Sequence, residues 1–269
     1  MKIVRFAIER AIRYGVLEGD KVRVIAGRPY SQLREPQAKL RLGEGTYSLA
    51  DVKLLAPCLP SKIVAVGLNY RKHAEERKLP IPDHPLIFLK PPSSVIGTED
   101  NIIYPSVSKR VDYEGEMGVV VGKKAKAVKR VRAREYILGY TCVNDVSARQ
   151  EMADDGGQVT RSKSYDTFAA IGPCIETEIS PDDLRLETCL NGEVLQSSRT
   201  NDLIFPVDVL VEFVSSIMTL LPGDVISTGT PSGTGTPEGP GPMKPGDIVE
   251  VKIEGIGTLR NYVVEQGLR

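Results

Sequence analysis

The sequence predicts an α+β fold, mainly β, with a small N-terminal β-rich domain, and two observations carry that expectation. Short apolar runs recur along the chain between Gly, Pro and Asp turns, and helical periodicity is sparse, sustained chiefly over residues 207–220. Runs spaced in this way build a sandwich or an irregular barrel that carries small helices.

Taken in order, residues 2–8 alternate loosely, and residues 15–25 read as a hairpin with Glu18-Gly-Asp at its turn. Pro57 and Pro60 then punctuate the chain and divide it into a domain of residues 1–56 and a larger one of residues 57–269. Residues 62–67 are apolar enough for a buried strand. Residues 69–78 form a polar helix pattern, with Asn69 placed to cap its start and Pro80 and Pro82 to end it. Residues 86–89, 111–121, 140–144, 184–190, 224–228 and 248–253 supply further strands. The stretch 229–241 is rich in Gly, Pro and Thr, and no internal repeat is present.

Composition narrows the function classes. Lys+Arg and Asp+Glu both number 35, and a zero formal charge argues against nucleic acid as the main partner. The basic run 123–134 is interleaved with Ala and Val and contains no aromatic residue, which fits a solvated turn and helix start. No stretch approaches the roughly 18 apolar residues of a membrane span. Charges at positions 2, 5, 9, 10 and 13 leave no signal-peptide core, so a cytoplasmic location is expected, without a membrane partner. The four cysteines are scattered, as reduced buried thiols would be, and there are only two histidines. A zinc site of the His/Cys kind is therefore disfavoured. A catalytic metal would need carboxylates, which suit Mg²⁺ or Mn²⁺.

The most informative passage is Asp112-Tyr-Glu-Gly-Glu-Met-Gly-Val-Val-Val121. A strand period of two puts Glu114 and Glu116 on one face, leading into an apolar run. Two such carboxylates, if partly buried, repel each other unless one is protonated or a cation sits between them. Asp145, at the end of the next apolar run, is the candidate third ligand. Spacing alone leaves the alternative open that the glutamates line a solvent-facing strand edge and Asp145 caps a helix.

His73 and Glu76 stand three apart on the helix pattern and so share a face. That arrangement suits a general base activating water, or equally a surface ion pair on an amphipathic helix. Lys163 enters an apolar stretch, where it can stabilise a developing negative charge or simply snorkel at the surface. Thr228-Gly-Thr-Pro-Ser-Gly-Thr-Gly235 offers hydroxyls and backbone N–H groups to an anion but lacks a P-loop ending.

Six strings then occur in one order: Gly67-Leu-Asn-Tyr-Arg-Lys-His-Ala, Phe88-Leu-Lys-Pro-Pro-Ser-Ser, Asp112-Tyr-Glu-Gly-Glu-Met-Gly, Asn144-Asp-Val-Ser-Ala-Arg, Lys163-Ser-Tyr-Asp-Thr-Phe and Thr228-Gly-Thr-Pro-Ser-Gly. Together they resemble the fumarylacetoacetate hydrolase family, particularly its short acylpyruvate hydrolase branch, over roughly residues 60–265. The resemblance implies a mixed β-sandwich roll and a homodimer. It implies one Mg²⁺ or Mn²⁺ per subunit on Glu114, Glu116 and Asp145, with His73–Glu76 on a lid helix. It also implies Lys163 at the 2-oxo or enolate oxygen, Thr230 at a substrate carboxylate, and Lys90 as a further substrate contact.

The activity implied is hydrolysis of a C–C bond in an acylpyruvate-type 2-oxo acid. Oxaloacetate decarboxylation and 2-hydroxyhepta-2,4-diene-1,7-dioate isomerisation are alternatives on the same site. A non-catalytic protein that binds metal and a 2-oxo acid is the alternative of another class. One departure stands out: Met152 occupies a position where the family often has glutamine, and Gln158 in the neighbouring loop is the expected substitute.

Overall fold

The strand Gly115–Val121 is buried along its whole length, because both of its faces are covered. Met117, Val119 and Val121 enter one apolar core with Leu210 and Val214, while Val120 enters another with Val143 and Ile171. Each such side chain contributes about 1.5–3 kcal/mol on leaving water. The computed structural model describes residues 1–33, 39–234 and 241–267. Residues 235–240 of the Gly-rich stretch, including the Gly235 that ends the Thr228 string, lie outside the described residues.

Around this strand runs the largest sheet, of twelve strands. Gly115–Val121 pairs antiparallel with Ile137–Asp145 on one side and with Val225–Ser227 on the other. Ile63–Gly67 and then Leu86–Lys90 continue the sheet beyond Val225–Ser227. In the other direction Ile137–Asp145 pairs with Ala169–Glu176, which in turn pairs with Lys2–Ile8 at Lys2↔Glu176 and Ile3↔Ile175. The N-terminal strands therefore extend the same sheet. Their predicted hairpin is present, closing at Glu18↔Lys21.

A second sheet of five strands contains Arg185–Leu190 and Ile248–Ile253. The protein is thus mainly β with few helices, as its sequence predicts. The longest helix among the described residues, Val207–Ile217, buries Val207, Leu210, Val211 and Val214, an i, i+3, i+4, i+7 stripe. No described helix is long and apolar enough to cross a membrane.

Three local expectations need correction. Residues 111–121 are not one strand: Val111–Asp112 pairs with Ser147–Ala148, and the Gly115–Val121 strand begins only after a break at Tyr113 and Glu114. At the break the Glu114 N–H donates to Asn144 Oδ1 at 3.0 Å, leaving the backbone ladder for a side chain. The helix predicted over 207–220 ends at Ile217, because Leu220 exchanges backbone hydrogen bonds with Ala125. Asn69 does not cap the next helix, which spans Arg71–Glu76 after Tyr70. Its side chain instead accepts from Phe205 N at 2.8 Å and donates to Thr228 O at 2.7 Å. Asn69 thereby ties the start of the His73 helix to the Thr228 loop.

Candidate active site

Glu114, Glu116 and Asp145 each bring a carboxylate oxygen to one point, all within 4.8 Å of one another and all buried. Strand register does this. Gly115 lies opposite Asn144, and the Asp145 N–H donates to Glu114 O at 2.8 Å, so the broken strand end and its neighbour deliver the three acids together.

Gly115 keeps Glu114 and Glu116 close to the second sheet. A Cβ on it would stand 1.9 Å from Thr188 Oγ1 and 3.3 Å from Gln196 Oε1, with Gln196 also accepting from Gly115 N at 2.9 Å. No other residue fits there without moving Thr188. Gly115→Ala is expected to destabilise the fold by about 1–3 kcal/mol, the usual cost of overpacking a core. Thermal denaturation measures it, and an unchanged melting temperature would contradict this packing.

Each carboxylate has different company. Glu116 accepts from Ser227 Oγ at 2.6 Å and from Gly229 N at 2.8 Å. Burial drives its carboxyl up, the Asp145 and Glu114 charges add to the effect, and it reaches about 8. At Glu114 burial also acts upward, but Lys163 and Arg149 outweigh it and hold the carboxyl at about 2. Arg149 bonds Glu114 and also reaches Asp112 at 2.9 Å, forming a bridge between the two carboxylates.

Two buried lysines face the acids. Lys163 Nζ donates to Glu114 Oε2 and to Asp145 Oδ2, both at 2.7 Å, and lies 5.2 Å from the centre of the Phe88 ring. Burial works to lower its value, yet Asp145 and Glu114 prevail and raise it, so it is a firm ammonium. An ammonium has three hydrogens, and these bonds use two. Lys90, at the end of its strand, bonds Asp145 and donates to Val146 O at 3.1 Å; burial lowers its value against the pull of Asp145. With no exposed surface, Lys90 holds Asp145 from inside the fold.

The helix Arg71–Glu76 presents the predicted pair. His73 Nδ1 lies 2.8 Å from Glu76 Oε2, and Glu76 Oε1 accepts from Gly233 N at 3.0 Å. The His73 ring is close enough to Glu114 to help lower its carboxyl, after Lys163 and Arg149. Beside Arg149 opens a cavity of about 370 Å³ bordered by Arg77, Arg110, Asp112, Met152 and Thr234. Met152 therefore lines a cavity that reaches Arg149, the partner of Glu114, and not the three acids themselves.

The other two predicted contacts, Thr230 and Gln158, have hydrogen-bond partners within the chain. The Thr230 hydroxyl accepts from Gln196 Nε2 at 2.8 Å and donates to Gly115 O at 3.1 Å, so it braces the strand that carries the acids. Gln158 folds back on Thr160, accepting from its N–H at 2.7 Å and donating to its hydroxyl at 2.8 Å. Sequence reasoning missed Ser227, Gly229 and Arg149 as partners of the acids. Arg149 closes the Asn144-Asp-Val-Ser-Ala-Arg string, and that position was the available signal.

The fumarylacetoacetate (FAA) hydrolase C-terminal family matches residues 62–264, and the Rv2993c-like N-terminal family matches residues 1–57. A Mycobacterium marinum structure described as 2-hydroxyhepta-2,4-diene-1,7-dioate isomerase is 41% identical, with a TM-score of 0.88 and 100% of both chains covered. The mitochondrial oxaloacetate tautomerase Fahd2a of Rattus norvegicus is 42% identical over 220 residues, 80% of this chain and 70% of its own length. Maleylpyruvate hydrolase from Sphingobium sp. SYK-6, solved with manganese(II) and pyruvate, is 29% identical with a TM-score of 0.80, covering 99% of this chain and 100% of its own. These relatives are enzymes, and the match spans most of the chain and all six strings: the chain belongs to the fumarylacetoacetate hydrolase family.

Proposed function

We propose that the protein is a divalent-metal-dependent enzyme that carries a 2-oxo acid through its enolate, with keto–enol proton transfer as the reaction. The observation that supports this most directly is the set of three buried carboxylates within 4.8 Å, bridged by an ammonium with one hydrogen to spare. An all-oxygen donor set of this kind fits Mg²⁺ or Mn²⁺, and the uncompensated repulsion at Glu116 fits a site completed by a cation. When bound, such an ion supplies Lewis-acid polarisation of the 2-oxo group.

The chain's own groups account for the rest. The third hydrogen of Lys163 is available to an enolate oxygen, in a buried setting where such a bond is strong. His73, held in one orientation by Glu76, moves the proton at the neighbouring carbon. Glu76 is itself fixed by Gly233 N, so the dyad and the Thr228 loop stay in register. Arg77 and Arg110 border the cavity beside Arg149, and their charge would suit the body of an anionic substrate.

Hydrolysis of an acylpyruvate C–C bond is the second reading, favoured by the 2.8 Å His73–Glu76 contact, which suits activation of a water. The pyruvate enolate would then be the leaving group, stabilised by Lys163. Decarboxylation of oxaloacetate needs neither an attacking water nor proton abstraction, so it is the activity that a histidine variant should spare.

The test is a Mg²⁺- or Mn²⁺-supplemented screen over enol-oxaloacetate, acylpyruvates and 2-hydroxy-diene dioates. His73→Ala is expected to lower tautomerisation or hydrolysis roughly 10²–10⁴-fold while leaving metal-dependent oxalate binding in place. Full turnover in His73→Ala would remove the dyad from the mechanism. No metal-stimulated reaction on any of these substrates would sink the reading.

A further inference from the structure

Far along the same sheet, a second cavity of about 640 Å³ opens between the N-terminal strands and the Pro222–Gly223 turn. It shares no residue with the carboxylate site. Three arginines, Arg5, Arg13 and Arg28, line it, and no described lining residue is acidic. Among the described residues none of the three makes an ion pair; Arg5 reaches only the Ala56 carbonyl, at 3.5 Å. Gathering guanidinium groups in a concavity with no counter-charge among the described residues raises the local positive potential, and an anion relieves it.

A second observation points the same way. Tyr30 lines the cavity, and its phenol oxygen is buried without a hydrogen-bond partner among the described residues. A buried donor left unpaired costs about 1–3 kcal/mol, which a ligand acceptor would recover. Burial pushes this phenol well above its ordinary value, so it stays protonated and can donate. Tyr14 stands edge-on to Tyr30, ring centres 6.3 Å apart. Leu59, 63% exposed, and Val24 add apolar wall.

We propose that this cavity is a binding site for a small organic anion that bears two or more negative charges on an apolar or planar body. The arginines take the charged groups, Tyr30 donates to one of their oxygens, and the Tyr14 side with Leu59 takes the body. The site lies outside the proposed reaction and does not depend on it.

Isothermal titration of the full chain, stripped of metal and dialysed free of chelator, with inorganic pyrophosphate, citrate and ADP as probes, tests this. Comparing citrate with pyrophosphate separates carboxylate from phosphate recognition, and ADP is expected to bind more tightly than pyrophosphate because it adds a planar body. Arg13→Ala and Arg28→Ala should each weaken binding roughly tenfold or more. Both side chains are exposed, so the melting temperature without ligand should hold or rise while the ligand-induced increase disappears. Tyr30→Phe should weaken binding while keeping the fold, and Lys163→Met should leave binding unchanged. The proposal is overturned if none of the probes binds, if the arginine variants bind as the wild type does, or if Lys163→Met abolishes binding and so moves the ligand to the carboxylate site.

Discussion

Glu116→Gln should abolish metal-dependent turnover while leaving the fold intact. Glutamine keeps the shape of the side chain and an oxygen for Ser227 Oγ and Gly229 N, so the local hydrogen bonds have an acceptor. It also replaces a carboxyl whose charged form is opposed by burial and by the neighbouring Asp145 and Glu114, so stability without metal should hold or rise. Under the proposed function, what is lost is one anionic ligand of three. The loss of activity should exceed the roughly 10–100-fold typical of removing an outer-shell partner. Titration with Mn²⁺, in the presence and absence of oxalate, provides the direct readout. Wild-type Mn²⁺ affinity in Glu116→Gln would remove this residue from the metal site, and with it the central premise of the proposed function.

Lys163→Met should separate metal binding from catalysis. The lysine bonds Glu114 and Asp145 at 2.7 Å each, so in the absence of metal it is a large part of the positive charge that offsets the buried acids. Removing one partner of a buried pair costs about 3–5 kcal/mol. Arg149 and Lys90 still face Glu114 and Asp145, so the low end of that range is expected. With its competing ammonium gone, the variant should bind Mn²⁺ at least as tightly as the wild type and gain more thermal stability from it. Turnover should nevertheless fall roughly 10²–10³-fold, the scale for losing one donor to a developing oxyanion. A variant that loses metal affinity along with activity would make Lys163 a scaffold for the acids and nothing more.

Much of this site is visible in one dimension, and the visible parts share a cause. His73 and Glu76 are three apart, and the helix period turns that spacing into a shared face; Glu114 and Glu116 are two apart, although Glu114 itself sits in the break before the strand. The chain's lack of His/Cys clusters narrows any metal to oxygen ligands before a fold is known. Asn69 marks the limit of such reasoning. It has the residue type and position of a helix cap, but a buried asparagine can satisfy more groups by joining Phe205 to Thr228, and tertiary contacts override the local preference.

The same limit explains why the partners of two further residues could not be read in advance. Lys90 and Thr230 lie in strings near the site, yet one is sealed behind Asp145 and the other is spent on Gln196 and Gly115. Nothing in their local sequence encodes those partners, which lie 55 and 34 residues away for Asp145 and Gln196. The arginine-lined N-terminal cavity is equally invisible in sequence, because Arg5, Arg13 and Arg28 meet only once three strands and the Pro222–Gly223 turn are in place.

By itself, then, the sequence determined a mainly β fold through its short apolar runs and turn residues, and its residue types narrowed any metal to oxygen ligands; the family, and with it the three acids as a ligand set, came from the resemblance of six ordered strings. Only the tertiary structure decided that the acids converge, at a break between Asp112 and Gly115 that no periodicity predicts. It also decided which cation faces which acid, because convergence and charge pairing depend on register between strands far apart in the chain.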